Sequence, residues 1–482
     1  MSLDYEKIGL KCGLEIHQQL DTKKLFCNCP SLLRKDEPDI EVRRKLHAVA
    51  GESGEIDIAA QYHASLDRTF NYQGYKTTCL VELDESPPRE INLEALRIAL
   101  QVSVLLNTQI MPITQIMRKT VIDGSNTSGF QRTVLIAKDG WIETSQGKVG
   151  IESICLEEDS ARIISESNGI VTYRLDRLGI PLIEIATAAD IKSPSQAKEV
   201  ALFLGNVLRS CKVKRGIGTI RQDVNVSVKK GKRVEIKGVQ EPQLIEKSVE
   251  LEAKRQAEMI KTKKKFDSEV RKVLPDGKTE FLRPMPGASR MYPETDLPLL
   301  RIRKELINDV KKNLPKLRHE TEKELFEKGL NKEMVGLLLK ARKLDEFKEL
   351  LKIYNNPKLV LKILLIYPKE IASREKISRE KIEKILNKDV LEFVLENLNN
   401  GKITEHQIKH VLGNIAKGKS AEEAIVFEEQ DLNSLEEKIL KIMDEKPGLS
   451  LNAYMGLIMK NPEFRGKVSG KEVAEIFKKH SK

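Results

Sequence analysis

Lys7-Ile8-Gly9-Leu10-Lys11-Cys12-Gly13-Leu14-Glu15-Ile16-His17-Gln18-Gln19-Leu20 sets apolar side chains at Ile8, Leu10, Cys12, Leu14 and Ile16. Every second position is apolar, the period of a strand with one buried face. The opposite face then carries Lys11, Glu15 and His17, a cation beside two groups able to ligate a metal ion. A lone Glu-x-His pair is common by chance and by itself reads more simply as the polar edge of a strand.

A second apolar run, Pro181-Leu182-Ile183-Glu184-Ile185-Ala186, reads as a buried strand apart from its one carboxylate. Burying Glu184 unpaired is costly, so it needs a partner. Glu157-Glu158-Asp159 supplies adjacent carboxylates after Ile154-Cys155-Leu156. A divalent cation would relieve their repulsion, and a solvated acidic turn would explain them as well. Mg²⁺ accepts a few protein oxygens and completes its shell with water and phosphate, whereas a histidine ligand suits Mn²⁺ better. Further on, Val224, Val226 and Val228 alternate with Arg221, Asp223, Asn225 and Ser227, and Val234 and Ile236 alternate with Glu235 and Lys237. Arg221 and Lys237 suit the stabilisation of a phosphoryl group in transfer. Cross-strand ion pairing is the plainer alternative.

Between Arg118 and Arg132 the chain combines Gly124 and Gly129 with small polar residues and the flanking cations Arg118, Lys119 and Arg132. Backbone N–H groups of such a loop can cradle phosphate, and a glycine-rich hairpin turn is the bland reading. The loop lacks the Gly-Lys-Ser/Thr ending of a Walker A motif. Any nucleotide needs another cradle, for which Lys11, Arg118, Lys119, Ser125 and Asn126 are the candidates. No Ser-His-Asp or Cys-His arrangement stands out, and no amidase signature is visible.

The chain of 482 residues carries a net charge of +11, which favours polyanionic partners such as nucleic acid, although lysine-rich composition also follows from growth at high temperature. No signal peptide or membrane span is expected, because the longest apolar run, Leu359 to Ile366, is interrupted by Lys362. Six cysteines are too few for a disulfide framework, and Cys27-x-Cys29 lacks a second close pair for a four-thiolate zinc site. They read as reduced thiols of a cytoplasmic protein.

The expected fold class is α+β. A large α+β domain spans 1–300, with helices starting at the caps Asn92 and Ser193. A helical domain spans 301–417, with Asn331 capping Met334, Leu337, Leu338, Ala341 and Leu344. A linker near Gly418 leads to a helical tail, 418–482, with capping boxes Ser434/Glu437 and Ser469/Glu472 around the stripe Leu451, Tyr454, Met455 and Ile458.

Gly13-Leu14-Glu15-Ile16-His17 with Lys24-Leu25-Phe26-Cys27, Leu156-Glu157-Glu158-Asp159, the runs Gly179–Ile185 and Arg221–Ser227, and Glu235-Ile236-Lys237 together resemble the B/E family of tRNA-dependent amidotransferase subunits. The runs Thr78–Pro88, Arg118–Thr133 and Met285–Pro298 are similar to its archaeal E branch. The resemblance spans nearly the whole chain. It implies a cradle-shaped first domain with a kinase and transamidase site, and a tail of the YqeY kind that grips tRNA. It also implies His17, Glu158 and Glu184 as metal ligands, with Glu157 undecided, and Glu15 as a neighbouring active-site carboxylate.

The implied activity is an ATP- and Mg²⁺-dependent conversion of Glu-tRNA(Gln) to Gln-tRNA(Gln) through a γ-glutamyl phosphate, with Mn²⁺ a substitute metal. The implied partners are charged tRNA(Gln) and an asparaginase-like amidase, the D-type component, which delivers ammonia within a hetero-oligomer, a heterotetramer. Two alternatives are a non-catalytic tRNA-binding adaptor, served equally by Lys460, Arg465, Lys467, Lys471, Lys478 and Lys479, and a B-type member acting also on Asp-tRNA(Asn). One departure stands out. Members of the E branch usually carry an inserted domain after the helix that runs through Glu250 to Lys264, and here Phe266 to Arg283 follows at once.

Overall fold

The computed structural model describes residues 3–50, 54–285, 291–341, 343–426, 440–442, 444–446 and 450–460. The chain divides into two compact units, Met1–Arg318 and His319–Lys482. The first mixes strands and helices and the described residues of the second form helices, in keeping with an α+β class.

The first unit is built on β1 (Lys11–Gln19), β2 (Ile116–Thr120), β3 (Phe130–Thr144), β4 (Gly147–Glu158), β5 (Pro181–Thr187), β6 (Ile220–Ser227), β7 (Val234–Lys237), β8 (Glu269–Val273), β9 (Thr279–Pro284) and β10 (Met291–Pro293). These join one sheet in the order β9-β8-β7-β6-β1-β5-β4-β3-β2-β10. Neighbours are antiparallel except β7 and β8. The strand expected of Lys7–Leu20 is therefore β1, at the heart of the sheet between β5 and β6.

Four helices of this unit matter to the site: α1 (Leu93–Leu105), α2 (Pro194–Ser210), α3 (Pro242–Lys261) and α4 (Lys304–Lys312). The side chain of Asn92 caps α1 and that of Ser193 caps α2, satisfying N–H groups with no partner inside the helix. The side chain of Gln196 reaches back past the cap, its Oε1 accepting from the N–H of Lys192 at 2.8 Å. Leu96, Leu100, Val200, Leu204, Leu208, Ile245 and Val249 from the helices share one core with Leu14, Ile16, Leu156, Ile183, Ile185, Val224 and Val226 from the strands. Each such side chain, fully buried, contributes about 1.5–3 kcal/mol. That core uses one face of the sheet. Alternation sends Glu15, His17, Glu157, Glu184, Arg221, Asp223 and Lys237 to the other.

The unit runs past the boundary expected at residue 300 because α4 belongs to this core through Val310, and Asp309 pairs with Arg97 of α1. A smaller sheet, Ile40–Arg44, Thr69–Gly74, Ile170–Arg174 and Arg162–Ser167, buries Phe70, Tyr72 and Tyr173. The hydroxyls of Tyr72 and Tyr173 donate to the carbonyls of Gly124 and Asp123, each at 2.8 Å, and so pin the β2–β3 hairpin loop. Gly124 has φ +90°, and a Cβ there would stand 2.2 Å from the Phe70 ring, so only glycine fits.

In the second unit, helices such as Lys332–Ala341, Leu344–Ile353, Lys388–Asn399 and Ile408–Ala416 surround Leu338, Phe347, Leu395 and Leu412. Asn331 caps the first, its Oδ1 accepting the Met334 N–H at 2.9 Å. The linker expected near Gly418 instead packs: Ser420 forms a capping box with Glu423, and Ala424 joins the same core. Tyr454 and Ile458 are buried on Leu451–Lys460. Ser434, Glu437, Ser469, Glu472, Arg465, Lys467, Lys471, Lys478 and Lys479 lie outside the described residues.

Candidate active site

The register of β1 on β5 places His17 opposite Glu184, and β6 sets Arg221 on the other flank of His17. His17 Nε2 lies 3.0 Å from Glu184 Oε2 and 3.3 Å from Glu15 Oε1. Glu157 arrives from β4. Lys119 reaches across from β2, its Nζ 2.5 Å from Glu157 Oε1 and 3.9 Å from Glu184 Oε2. One ligating atom from each of His17, Glu157 and Glu184 lies within 4.8 Å of the other two, and Glu15, His17 and Asp223 form a second such group. Lys237 Nζ stands 2.8 Å from Asp223 and 2.6 Å from Glu235. Arg221 is held by Asp159 at 2.7 Å, and Asp159 also accepts from the Gln19 amide at 2.6 Å.

These charges shift one another. Burial, reinforced by the charge of Glu184, lifts the Glu15 carboxyl to about 7 against the pull of His17 and Lys237. Burial also acts on Glu184, but Lys119 and His17 outweigh it and hold that carboxyl at about 2. Burial alone would depress the His17 imidazole; its hydrogen bond to Glu184 and the charges of Glu184 and Glu15 raise it instead. Lys237 is likewise raised, since Asp223 and Glu235 overcome its burial.

Of the residues singled out from sequence, His17, Glu184, Glu15, Lys119, Arg221 and Lys237 meet on this polar face. Glu158 does not, which corrects the expectation for the acidic run. Neighbours on a strand point to opposite faces, so Glu157 joins His17 while Glu158 turns behind the sheet. There Glu158 Oε2 accepts the Arg132 N–H at 3.2 Å, and the guanidinium lies 3.4 Å away. Burial raises the Glu158 carboxyl, opposed by Arg132.

The same parity separates Arg118 from Lys119. Arg118 stands over the Phe130 ring at 4.5 Å and pairs with Glu294 at 2.5 Å. Lys11 shares the face of His17 but is exposed at the start of β1, six residues or about 20 Å along the strand. Ser125 and Asn126 also stay apart: Asn126 is buried, and its Oδ1 accepts from Ser160 at 3.1 Å. Their loop is a hairpin connection, the plainer of its two readings. The sequence left Glu157 undecided and gave no role in the site to Asp223, Asp159 or Gln131. Asp223 was legible, because it lies two residues from Arg221 and therefore on its face.

All six cysteines are free. Cys27, Cys29, Cys79 and Glu82 gather in a separate group, where Lys24 Nζ already lies 2.9 Å from Glu82. Among the described residues no helix is long and apolar enough to cross a membrane.

The GatB/GatE catalytic domain matches residues 10–308, which hold every strand and residue of this polar face. The chain belongs to the GatB/GatE family. It is 37% identical to the E component of the glutamyl-tRNA(Gln) amidotransferase of Methanocaldococcus jannaschii, with all of both chains covered. It is 36% identical to the corresponding E components of Methanosarcina acetivorans and Archaeoglobus fulgidus, covering 99% of this chain and 98% of each of those. The first alignment runs over 635 positions against 482 residues here, so that relative carries segments without a counterpart in this chain. This GatB/GatE member passes from α3 into β8 through residues 262–268 alone.

One imidazole and two carboxylates suit a hard divalent ion that also keeps water or phosphate oxygens, with ligand distances of about 2.0–2.1 Å for Mg²⁺. The three donors converge closely enough to fit such an ion after small side-chain shifts.

Proposed function

We propose that this chain is the kinase and transamidase component of a glutamyl-tRNA(Gln) amidotransferase. An oxygen of the glutamyl side-chain carboxylate attacks the γ-phosphorus of ATP, and ADP leaves. Ammonia then attacks the acyl phosphate carbon, expelling inorganic phosphate and losing a proton to give the amide on tRNA(Gln). The observation that carries this reading is the convergence of His17, Glu157 and Glu184, flanked by Lys119, Arg221 and Lys237, on the polar face of a GatB/GatE domain.

Each group has a task in that chemistry. His17, Glu157 and Glu184 would hold Mg²⁺, which when bound neutralises phosphate charge during transfer. Lys119, Arg221 and Lys237 supply fixed positive charge to phosphoryl oxygens. Asp159 and Asp223 orient Arg221 and Lys237 by the ion pairs described above. Ammonium is no nucleophile, so ammonia has to arrive shielded from water, from an asparaginase-like amidase partner in a cytoplasmic hetero-oligomer. The net charge of +11 suits a tRNA substrate.

The test is ATP hydrolysis by the chain with and without glutamyl-tRNA(Gln). Hydrolysis that requires the charged tRNA and disappears in Glu184→Ala supports the proposal. No hydrolysis by the chain even with the charged tRNA would leave it an adaptor, and turnover indifferent to Glu184→Ala would move the chemistry away from this face.

A further inference from the structure

We propose that the adjacent pair Gln131–Arg132 assigns opposite roles to the adjacent acids Glu157 and Glu158, with Gln131 the positioning residue that presents Glu157 to a divalent ion. The inference rests on the metal-centre reading above. Gln131 is buried, and both hydrogens of its amide are used: Nε2 donates to Glu157 Oε2 at 3.0 Å and to the backbone carbonyl of Glu158 at 2.7 Å. The other oxygen of Glu157 faces Lys119 at 2.5 Å. The carboxylate is thereby fixed at both oxygens and tied to its own strand, toward His17 and Glu184.

Behind the sheet Arg132 does the converse. Its N–H and guanidinium take Glu158, while its Nε donates to Glu294 at 2.8 Å. Two neighbours on β3, pointing to opposite faces, thus each claim one of two neighbours on β4. Carboxylate ligands anchored by such outer hydrogen bonds bind metal about 10–100-fold more weakly when the anchor is removed.

The experiment is a Mn²⁺ titration of the full chain, followed by the electron paramagnetic resonance signal of the free ion, with thermal unfolding in parallel. Gln131→Met is expected to weaken Mn²⁺ binding about 10–100-fold while the thermal transition persists. Gln131→Asn, one methylene too short to span both acceptors, should fall between it and wild type, and serves if the methionine variant does not fold. Arg132→Met should lower the thermal transition and retain Mn²⁺ affinity. Equal binding by wild type and both Gln131 variants overturns the positioning role alone. A loss of binding in Arg132→Met as large as in Gln131→Met also overturns it, by exposing a general loosening of the sheet. Absence of Mn²⁺ binding by wild type, or binding unmoved by Glu184→Ala, overturns the metal centre and the positioning role together.

Discussion

The imidazole of His17 and the carboxylate of Glu184 stand 3.0 Å apart although 167 positions separate them in the chain. They are direct cross-strand partners in the β1–β5 ladder, so backbone pairing rather than a flexible loop sets their distance. Glu184→Ala removes one of three converging donors, and Mn²⁺ affinity is expected to drop about 100-fold or more. Calorimetric titration checks this; wild-type affinity in the variant would remove Glu184 from the site.

Glu157→Ala and Glu158→Ala should differ in kind. The first is expected to abolish metal binding with the fold intact. The second leaves the Arg132 guanidinium with Glu294 but without Glu158, costing about 1–3 kcal/mol of stability while Mn²⁺ still binds. Urea unfolding and Mn²⁺ titration of both variants, side by side, decide the matter; a reversed pattern would restore Glu158 as the ligand.

Arg221 is aligned with His17 and braced by Asp159. Arg221→Met should slow glutamyl-tRNA-dependent ATP turnover by about 10²–10³, with Mn²⁺ affinity retained. A change confined to KM would show that Arg221 only binds substrate.

Glu294 is buried between Arg118 and Arg132. Burial alone would raise its carboxyl, but the hydrogen bonds from Arg118 and Arg132 outweigh this and hold it below the usual value. A group depressed on folding adds stability above its unfolded pKa of about 4.3 and loses it as pH falls through the folded value. Glu294→Gln should therefore unfold about 1–3 kcal/mol more easily at pH 7, and the gap to wild type should narrow in acid. Denaturant midpoints at both pH values test the sign. A gap that widens below about pH 4 would contradict it.

Gly124→Ala forces a Cβ into the Phe70 ring at φ +90°. A loss exceeding about 1 kcal/mol is expected, read as a lower melting temperature. An unchanged melting temperature would mean that the hairpin loop re-forms around the methyl group.

Much of this was legible without coordinates. The alternation in Lys7–Leu20 and the apolar run Pro181–Ala186 marked two strands, the first with Glu15 and His17 on its polar face and the second with Glu184 as a carboxylate in need of a partner, and the caps Asn92, Ser193 and Asn331 opened helices where expected. The boundary at 300 was misplaced because α4 looks like any charged helix until Asp309 finds Arg97 and Val310 enters the core.

Local order along each strand is a property of the sequence, since side chains alternate whatever the strand pairs with, and the order of the motifs points to the family. Which acid of a run meets a histidine far away is different in kind. It depends on the register of β4 against β5 and of β5 against β1, and a shift of one residue would exchange Glu157 for Glu158. Only the folded sheet, with Lys119 and Gln131 on one side and Arg132 on the other, decides that choice.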